Sequence, residues 1–388
     1  MHTANSPWRK GLRLALSEQN ALLENSFHPC HNPAMGKARV VVDARMVGAT
    51  GHGIGNYVED LAASLKDKDL PYELVFLLSP ECPKASLLRS YEHHISPIKF
   101  LSAKEIFLLA PEIKKLKPDL FHSPSFSSLA RYDFPVAFTV HDLNHLYFAG
   151  NFHKLYYRYL LLPALKKAKA IASVSETAAA EIDLWLRNYG EKRQVRVVPN
   201  SIRRLTGASA EATLTTHGLS RKGYFLCLSN PKPHKNTDFL IRAYSQARQE
   251  NPNLSPLVLS TPGPSGGGIL HLGSLPGSAI PALLSEARAF FFPSLYEGFG
   301  RPPVEAALAG TLPFAADIPV LREALAGVKE ARFLNPTDLD QWVAAFRELG
   351  LKSPLPISSA SQDWILRSYS LEQVALKADA FYREALAL

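Results

Sequence analysis

Short apolar runs bounded by turn residues alternate with longer segments of helical periodicity along most of the chain, a pattern that predicts parallel sheet wrapped by helices. The reading gives strand 39–43, a glycine-rich approach (Gly51 to Asn56) to a helix ending near Leu65, strand 73–78, helix 106–117, strands 119–122 and 136–141, helix 154–169, strand 170–174, helix 176–188 and strand 194–198. After a stretch rich in Ser, Thr, Gly and Ala at 200–222, the pattern restarts. It then runs through strand 224–228, helix 235–249, strand 257–260, helix 279–287, strand 289–292 and a helix opened by Pro302 and Pro303, with a loop expected at 261–278 where Pro and Gly are dense. A restart implies a second doubly wound sheet, not an extension of the first. Residues 371–386 carry apolar positions at helical spacing and predict a helix docked on one of the two lobes.

A length of 388 residues exceeds one ordinary core and suits two domains of comparable size. The expected division is an N-terminal extension (1–36), a first domain (37–200), a connector (201–222), a second domain (223–370) and a C-terminal helix (371–388). Cys30, Cys82 and Cys227 are scattered, so they build neither a disulfide framework nor a zinc site, which favours a reducing compartment. The best apolar run, 156–170, is interrupted by Arg158, Pro163 and lysines, and falls short of the roughly 18 residues of a membrane span. Residues 14–23 are broken by Ser17, Glu18, Gln19 and Asn20, where a signal peptide needs an unbroken apolar core. The expectation is a cytoplasmic protein. Its formal charge of +8 points to an anionic ligand or an anionic membrane surface, unless it is simply the charge of a soluble protein. No basic stripe is interleaved with aromatics, so nucleic acid is not expected as a partner.

The segment most informative about chemistry is Pro293-Ser294-Leu295-Tyr296-Glu297-Gly298-Phe299-Gly300-Arg301-Pro302-Pro303-Val304-Glu305-Ala306. It follows a buried strand, turns on two glycines and places prolines in the first turn of a helix, where their missing N–H costs nothing. Such a turn presents backbone donors at the positive end of a helix and can receive a diphosphate. Glu297 and Glu305 border the same mouth and, as acceptors, can hold the hydroxyls of a sugar or a ribose. The bland alternative is a strand-to-helix turn capped by its own glutamate. Ser229-Asn230-Pro231-Lys232-Pro233-His234-Lys235-Asn236 forms a second, cationic segment after the first strand of the second lobe, where a lysine can meet a phosphate leaving group. Lys232 reads equally well as a solvated surface lysine. Gly51 to Asn56 lacks the final glycine of a dinucleotide fingerprint, because Asn56 stands there. His141 ends a strand where parallel sheets place ligand-binding groups, and His145 follows four residues later without a third metal ligand in view. A structural histidine is the alternative for His141. Asp338-Leu339-Asp340 is read as a helix cap, not a metal site.

Glu297 and Glu305 stand at the spacing of the E-x7-E signature of the retaining glycosyltransferases of family 4, and Ser294 to Ala306 is close to that family's wording. Asp43-Ala44-Arg45, Phe121-His122-Ser123, Thr139 to Leu143, Ser173 to Glu176, Val197 to Asn200 and Ala316 to Pro319 extend the resemblance over about 38–388. The resemblance implies the GT-B fold: α/β, two Rossmann-like parallel-sheet domains facing across a cleft, with the C-terminal helix returning to the first. It implies transfer of a hexose, guessed as mannose, from a nucleotide diphosphate sugar (GDP-mannose or a UDP-sugar) to a saccharide or lipid-linked acceptor in bacterial surface polysaccharide synthesis. Retention of configuration and no metal or other cofactor are implied with it. Carried over residue by residue, Glu297, Lys235 and His141 are the catalytic set. Gly53, Gly55, Lys232, Asn236, Gly298, Phe299, Gly300 and Glu305 bind the donor, with Glu305 on the ribose diol. Two departures stand out: Asn230 replaces a frequent arginine, and Arg301 sits inside the signature. The rival readings are a related epimerase or phosphorylase and a non-catalytic sugar-nucleotide-binding protein. Lys104, Lys114, Lys115 and Lys117, with Phe107 to Leu109 nearby, suggest a helix that leans on an anionic membrane, or only a solvated face.

Overall fold

The computed structural model describes residues 36–48, 53–127, 129, 132–148 and 150–388. Residues 1–35 of the expected N-terminal extension and Gly51 of the glycine-rich loop lie outside them. The chain divides into two compact units, one ending at Ser201 and completed by Leu371–Leu388, the other spanning Ile202–Ser370.

In the first unit, β1 (Ala38–Ala44), β2 (Tyr72–Leu78), β3 (Glu92–Ile95), β4 (Leu120–Ser123), β5 (Val136–Thr139), β6 (Ala170–Ser173) and β7 (Val195–Val197) form one sheet in the order β3-β2-β1-β4-β5-β6-β7. Every pairing is parallel. Val41 sits opposite Val75 on one side and Phe121 on the other, and all three are buried, as strands covered on both faces require. Helix Leu371–Leu386 packs on helix Gly53–Leu65 and reaches β6, burying Val374, Ala378, Phe381 and Tyr382.

The second unit repeats the plan with β8 (Phe225–Cys227), β9 (Leu257–Leu259), β10 (Ile269–His271), β11 (Ala289–Phe292), β12 (Pro313–Ala316) and β13 (Arg332–Leu334), in the order β10-β9-β8-β11-β12-β13. Helices Thr237–Glu250 and Leu339–Leu351 pack together, and Phe346 stacks 4.2 Å from Phe291 of β11. Chain direction across the sheet reverses between neighbours β8 and β11, which makes the space beyond their carboxyl ends a topological switch point. The Lys235 segment follows β8 and the Glu297 segment follows β11.

Several expectations need correction. The helix expected at 154–169 is interrupted by a wide turn at Tyr157–Leu161, between Asn151–Tyr156 and Leu162–Lys167. Pro163 supplies no N–H, and a widened turn is how a helix absorbs the missing bond. The stretch at 201–222 is not a free connector: Ala210–His217 is a helix, N-capped by Ser209, that packs on helix Ile280–Glu286 within the second unit. The loop expected at 261–278 contains β10. Gly53 and Gly55 lie in the first turn of a helix, not in a loop before it. The reading of Asp338 as a helix cap holds: it caps helix Leu339–Leu351, its carboxylate accepting from the Gln341 amide at 3.4 Å.

Candidate functional site

Two turns in the second unit bring Lys235 and Glu297 of the sequence reading together. After β8 the chain makes a short helical turn, Pro233–Lys235, and Asn236 follows in the left-handed region at φ 56°. The Asn236 amide donates to the carbonyls of Pro293 (3.3 Å) and Pro336 (3.0 Å), while the Leu295 amide donates to the His234 carbonyl at 2.7 Å. These bonds tie the Lys235 turn to the Glu297 turn and use both N–H donors of the Asn236 side chain on scaffolding. Lys235 Nζ then lies 2.6 Å from Glu297 Oε1 and 5.8 Å from the centroid of the Phe292 ring. Lys235 and Glu297 are 15% and 12% exposed, which leaves the pair screened from bulk water yet reachable. Burial, with the Lys235 ammonium beside it, pulls His234 down to about 4, so that imidazole is neutral.

Gly300 ends the second turn at φ +90°, and a Cβ there would stand 2.3 Å from Leu321 Cδ2, so glycine is required both by conformation and by space. Phe299 is buried edge-on against Tyr369 at 5.0 Å and holds the turn down. Helix Arg301–Leu308 starts directly after Gly300, with no side-chain cap. Because Pro302 and Pro303 carry no N–H, the backbone donors at this end come from residues 298–301. Glu305, one turn in, accepts from Arg301 Nε at 3.2 Å. It also lines a cavity of about 320 Å³ with Arg203, Arg204, Ala282, Ser285 and Leu308. Lys232 is exposed at the entrance to the Lys235 turn.

The first unit carries the remaining predicted residues. His141 Nε2 lies 3.0 Å from the Pro124 carbonyl and must donate to it, which leaves Nδ1 as the acceptor of a neutral ring. Burial lowers His141 to about 4. Tyr57, one turn beyond Gly53, meets the His141 ring edge-on at 4.9 Å. Gly53 is exposed and a Cβ there would touch nothing, whereas Gly55 is buried against Met46 and Val47. Behind His141 runs a buried chain that the sequence reading did not assign a role. The Tyr382 hydroxyl lies 2.8 Å from His122 Nδ1, His122 Nε2 lies 2.9 Å from Thr139 Oγ1, and Thr139 Oγ1 lies 3.2 Å from the Tyr57 hydroxyl. Burial holds His122 at about 3. An imidazole and a hydroxyl 260 residues apart in sequence leave no local signal of this chain. The Arg301–Glu305 pair, which the sequence reading did not draw, did leave a signal, because residues four apart on a helix are neighbours. Among the described residues there is no cluster of three or more His, Cys, Asp and Glu placed to hold a metal ion, and no helix long and apolar enough to cross a membrane.

Comparison with known proteins identifies the family and the fold. Residues 51–204 match the model of Glycosyltransferase Family 4 and residues 266–361 that of Glycosyl transferases group 1. The chain is 28% identical over 224 residues to the O-antigen chain mannosyltransferase RfbU of Salmonella typhimurium, a match covering 54% of this chain and 60% of that protein. It is 29% identical over 254 residues to the O-antigen chain mannosyltransferase B of Escherichia coli, covering 59% and 64% respectively. The matches therefore span less than two thirds of either relative. The fold is similar to that of Anabaena HepE, whose structure holds UDP and glucose, with a TM-score of 0.63 at 17% identity over 87% of this chain and 97% of that one. With two parallel α/β sheets and family models matched in each unit, the chain belongs to the family 4 glycosyltransferases and has the GT-B fold.

Proposed function

We propose that the protein is a retaining hexosyltransferase that moves mannose from a nucleotide diphosphate donor to a saccharide or lipid-linked acceptor in bacterial surface polysaccharide synthesis. The observation that carries the reading is the contact of Lys235 with Glu297 at the switch point of the second sheet, beside the glycine turn that opens helix Arg301–Leu308. The relatives named as O-antigen mannosyltransferases support the sugar and the setting.

In the proposed reaction the bond from the sugar's anomeric carbon to the phosphate oxygen breaks, and the acceptor oxygen bonds to that carbon on the same face. The acceptor's proton passes to the departing phosphate. Lys235 and the amides of residues 298–301 stabilise the leaving diphosphate without a metal, a task that counts for most where water is excluded. Glu297 accepts from the sugar's hydroxyls, Glu305 from the ribose diol, and the neutral His141 offers Nδ1 to a sugar hydroxyl. Phe107 and Leu108, 71% and 53% exposed on the lysine-bearing helix Glu105–Lys115, suit peripheral contact with an anionic membrane that presents a lipid-linked acceptor.

The test is release of nucleoside diphosphate from a panel of sugar donors by the purified protein, with and without an oligosaccharide acceptor. Acceptor-dependent turnover of GDP-mannose, with the α-anomer retained in the product, is expected. Turnover of no donor in the panel, or product formed with the acceptor left untouched, would reject the assignment.

A further inference from the structure

His141 follows the end of β5, and the polar side chains of β4 and β5 are gathered beside it. The two strands are apolar at Leu120, Phe121, Val136, Ala137 and Phe138, and polar only at His122, Ser123 and Thr139, where they end. Thr139 lies two residues before His141, and His122 two before Pro124, whose carbonyl accepts from the His141 ring at 3.0 Å. The 2.9 Å bond between His122 and Thr139 therefore crosslinks the strands one step behind that contact. Thr139 also meets the hydroxyl of Tyr57, whose ring packs edge-on against His141, and His122 meets Tyr382 of the C-terminal helix. From β6, Ser173 Oγ donates to the Val140 carbonyl at 2.8 Å and fixes the backbone just before His141. Tyr57, His122, Thr139 and Tyr382 are at most 1% exposed, whereas His141 is partly exposed. Apolar side chains would hold two strands together at a lower desolvation cost; what a hydrogen-bonded chain adds is a fixed direction for the group it supports.

We propose that Tyr57, Thr139, His122 and Tyr382 are positioning residues for the reaction, which hold the His141 ring so that Nδ1 is presented to the donor sugar. This rests on the catalytic reading of His141 and deepens it. A histidine ring turns about two side-chain bonds and can carry its proton on either nitrogen. The Pro124 carbonyl selects the tautomer only while β4 and β5 keep their spacing, and the Tyr57 ring selects the orientation. His122 suits the bridge because burial holds it neutral, at about 3, and a neutral imidazole donates at one nitrogen and accepts at the other. Through Tyr382, the docking of helix Leu371–Leu386 becomes part of the same support.

The experiment compares the full chain as wild type, Thr139→Val, Thr139→Ser, His141→Ala and Thr139→Val/His141→Ala in turnover, donor KM and affinity for GDP and UDP. Thr139→Val keeps the shape of the side chain and loses the hydroxyl. Its kcat should fall roughly ten-fold with donor KM and nucleotide affinity within about two-fold of wild type, Thr139→Ser should recover most of the loss, and Thr139→Val should cost nothing further once His141 is alanine. Loss of the same factor with and without His141 would show general loosening and overturns the proposal, as does wild-type turnover in Thr139→Val. Wild-type turnover in His141→Ala takes down the catalytic reading of His141 and the proposal with it, a failure told apart because no second substitution is involved. Nitrogen NMR of the histidine rings reads the hold on His141 without any turnover. One tautomer, protonated at Nε2, is expected in the wild type and a mixture in Thr139→Val; an unchanged His141 ring overturns the proposal. Should Thr139→Val fail to fold, Tyr57→Phe, which keeps the ring and removes only the hydroxyl that meets Thr139, takes its place in the same comparisons.

Discussion

Replacing Lys235 by alanine separates what the Lys235–Glu297 pair does for folding from what it does for the reaction. At 2.6 Å and an effective dielectric constant of about 20, the attraction is about 6 kcal/mol, most of which offsets the desolvation of two charges. Removing the ammonium leaves a carboxylate 12% exposed without its partner, and the expected loss of stability is about 1–3 kcal/mol. Removing Glu297 as well takes away the stranded charge, so Lys235→Ala/Glu297→Ala should recover most of that loss. Turnover should behave differently. A preorganised charge aimed at a leaving group is worth about 10²–10³ in rate, so Lys235→Ala should fall by that factor and the double variant should fall at least as far. The assay pairs urea unfolding with nucleoside diphosphate release from the best donor at saturating acceptor. Recovery of turnover together with stability in the double variant would refute the reasoning, since Lys235 would then matter only for folding.

Gly300→Ala should lower stability by about 2–4 kcal/mol, read by denaturant unfolding, because a Cβ at φ +90° also collides with Leu321. Tyr382→Phe leaves His122 Nδ1 buried without its hydroxyl and should cost about 1–3 kcal/mol; faster amide exchange in helix Leu371–Leu386 would show it, and wild-type exchange would count against the contact. His122 and His141 are neutral in the fold at about 3 and about 4, below the usual 6.5 or so of an unfolded chain. The unfolded state therefore binds more protons as pH falls below that value. Stability should be flat above pH ~6.5 and drop by about 2 kcal/mol per histidine by pH ~5, and His141→Gln should remove one such increment from an unfolding series across that window.

The fold was legible in most strands whose two faces are covered, although the buried interior strand β12, opened by Pro313, was not read. Val40 to Val42 and Ala289 to Phe292 are apolar without interruption, because every position along them is buried. Three of the four edge strands gave no such signal: β3 reads Glu-His-His-Ile at the end of the first sheet, and β10 and β13 are three residues each. The Glu297–Glu305 segment was legible because glycines, prolines and acids are all local in sequence. What was not legible is how its charges are spent. Sequence places Lys235 62 residues from Glu297 and cannot show that they touch; nor does it show that the Asn236 side-chain donors bind the carbonyls of Pro293 and Pro336. The chain from Tyr382 to Tyr57 escaped for the same reason, since its members are joined only by the sheet and the C-terminal helix.

A crystal structure with GDP-mannose or a UDP-sugar bound tests most directly whether the two turns of the second unit are the donor site. The account predicts the diphosphate within hydrogen-bond distance of Lys235 Nζ and the amides of residues 298–301, with Glu305 on the ribose hydroxyls. A nucleotide seated elsewhere, with Lys235 still closed on Glu297, would contradict it.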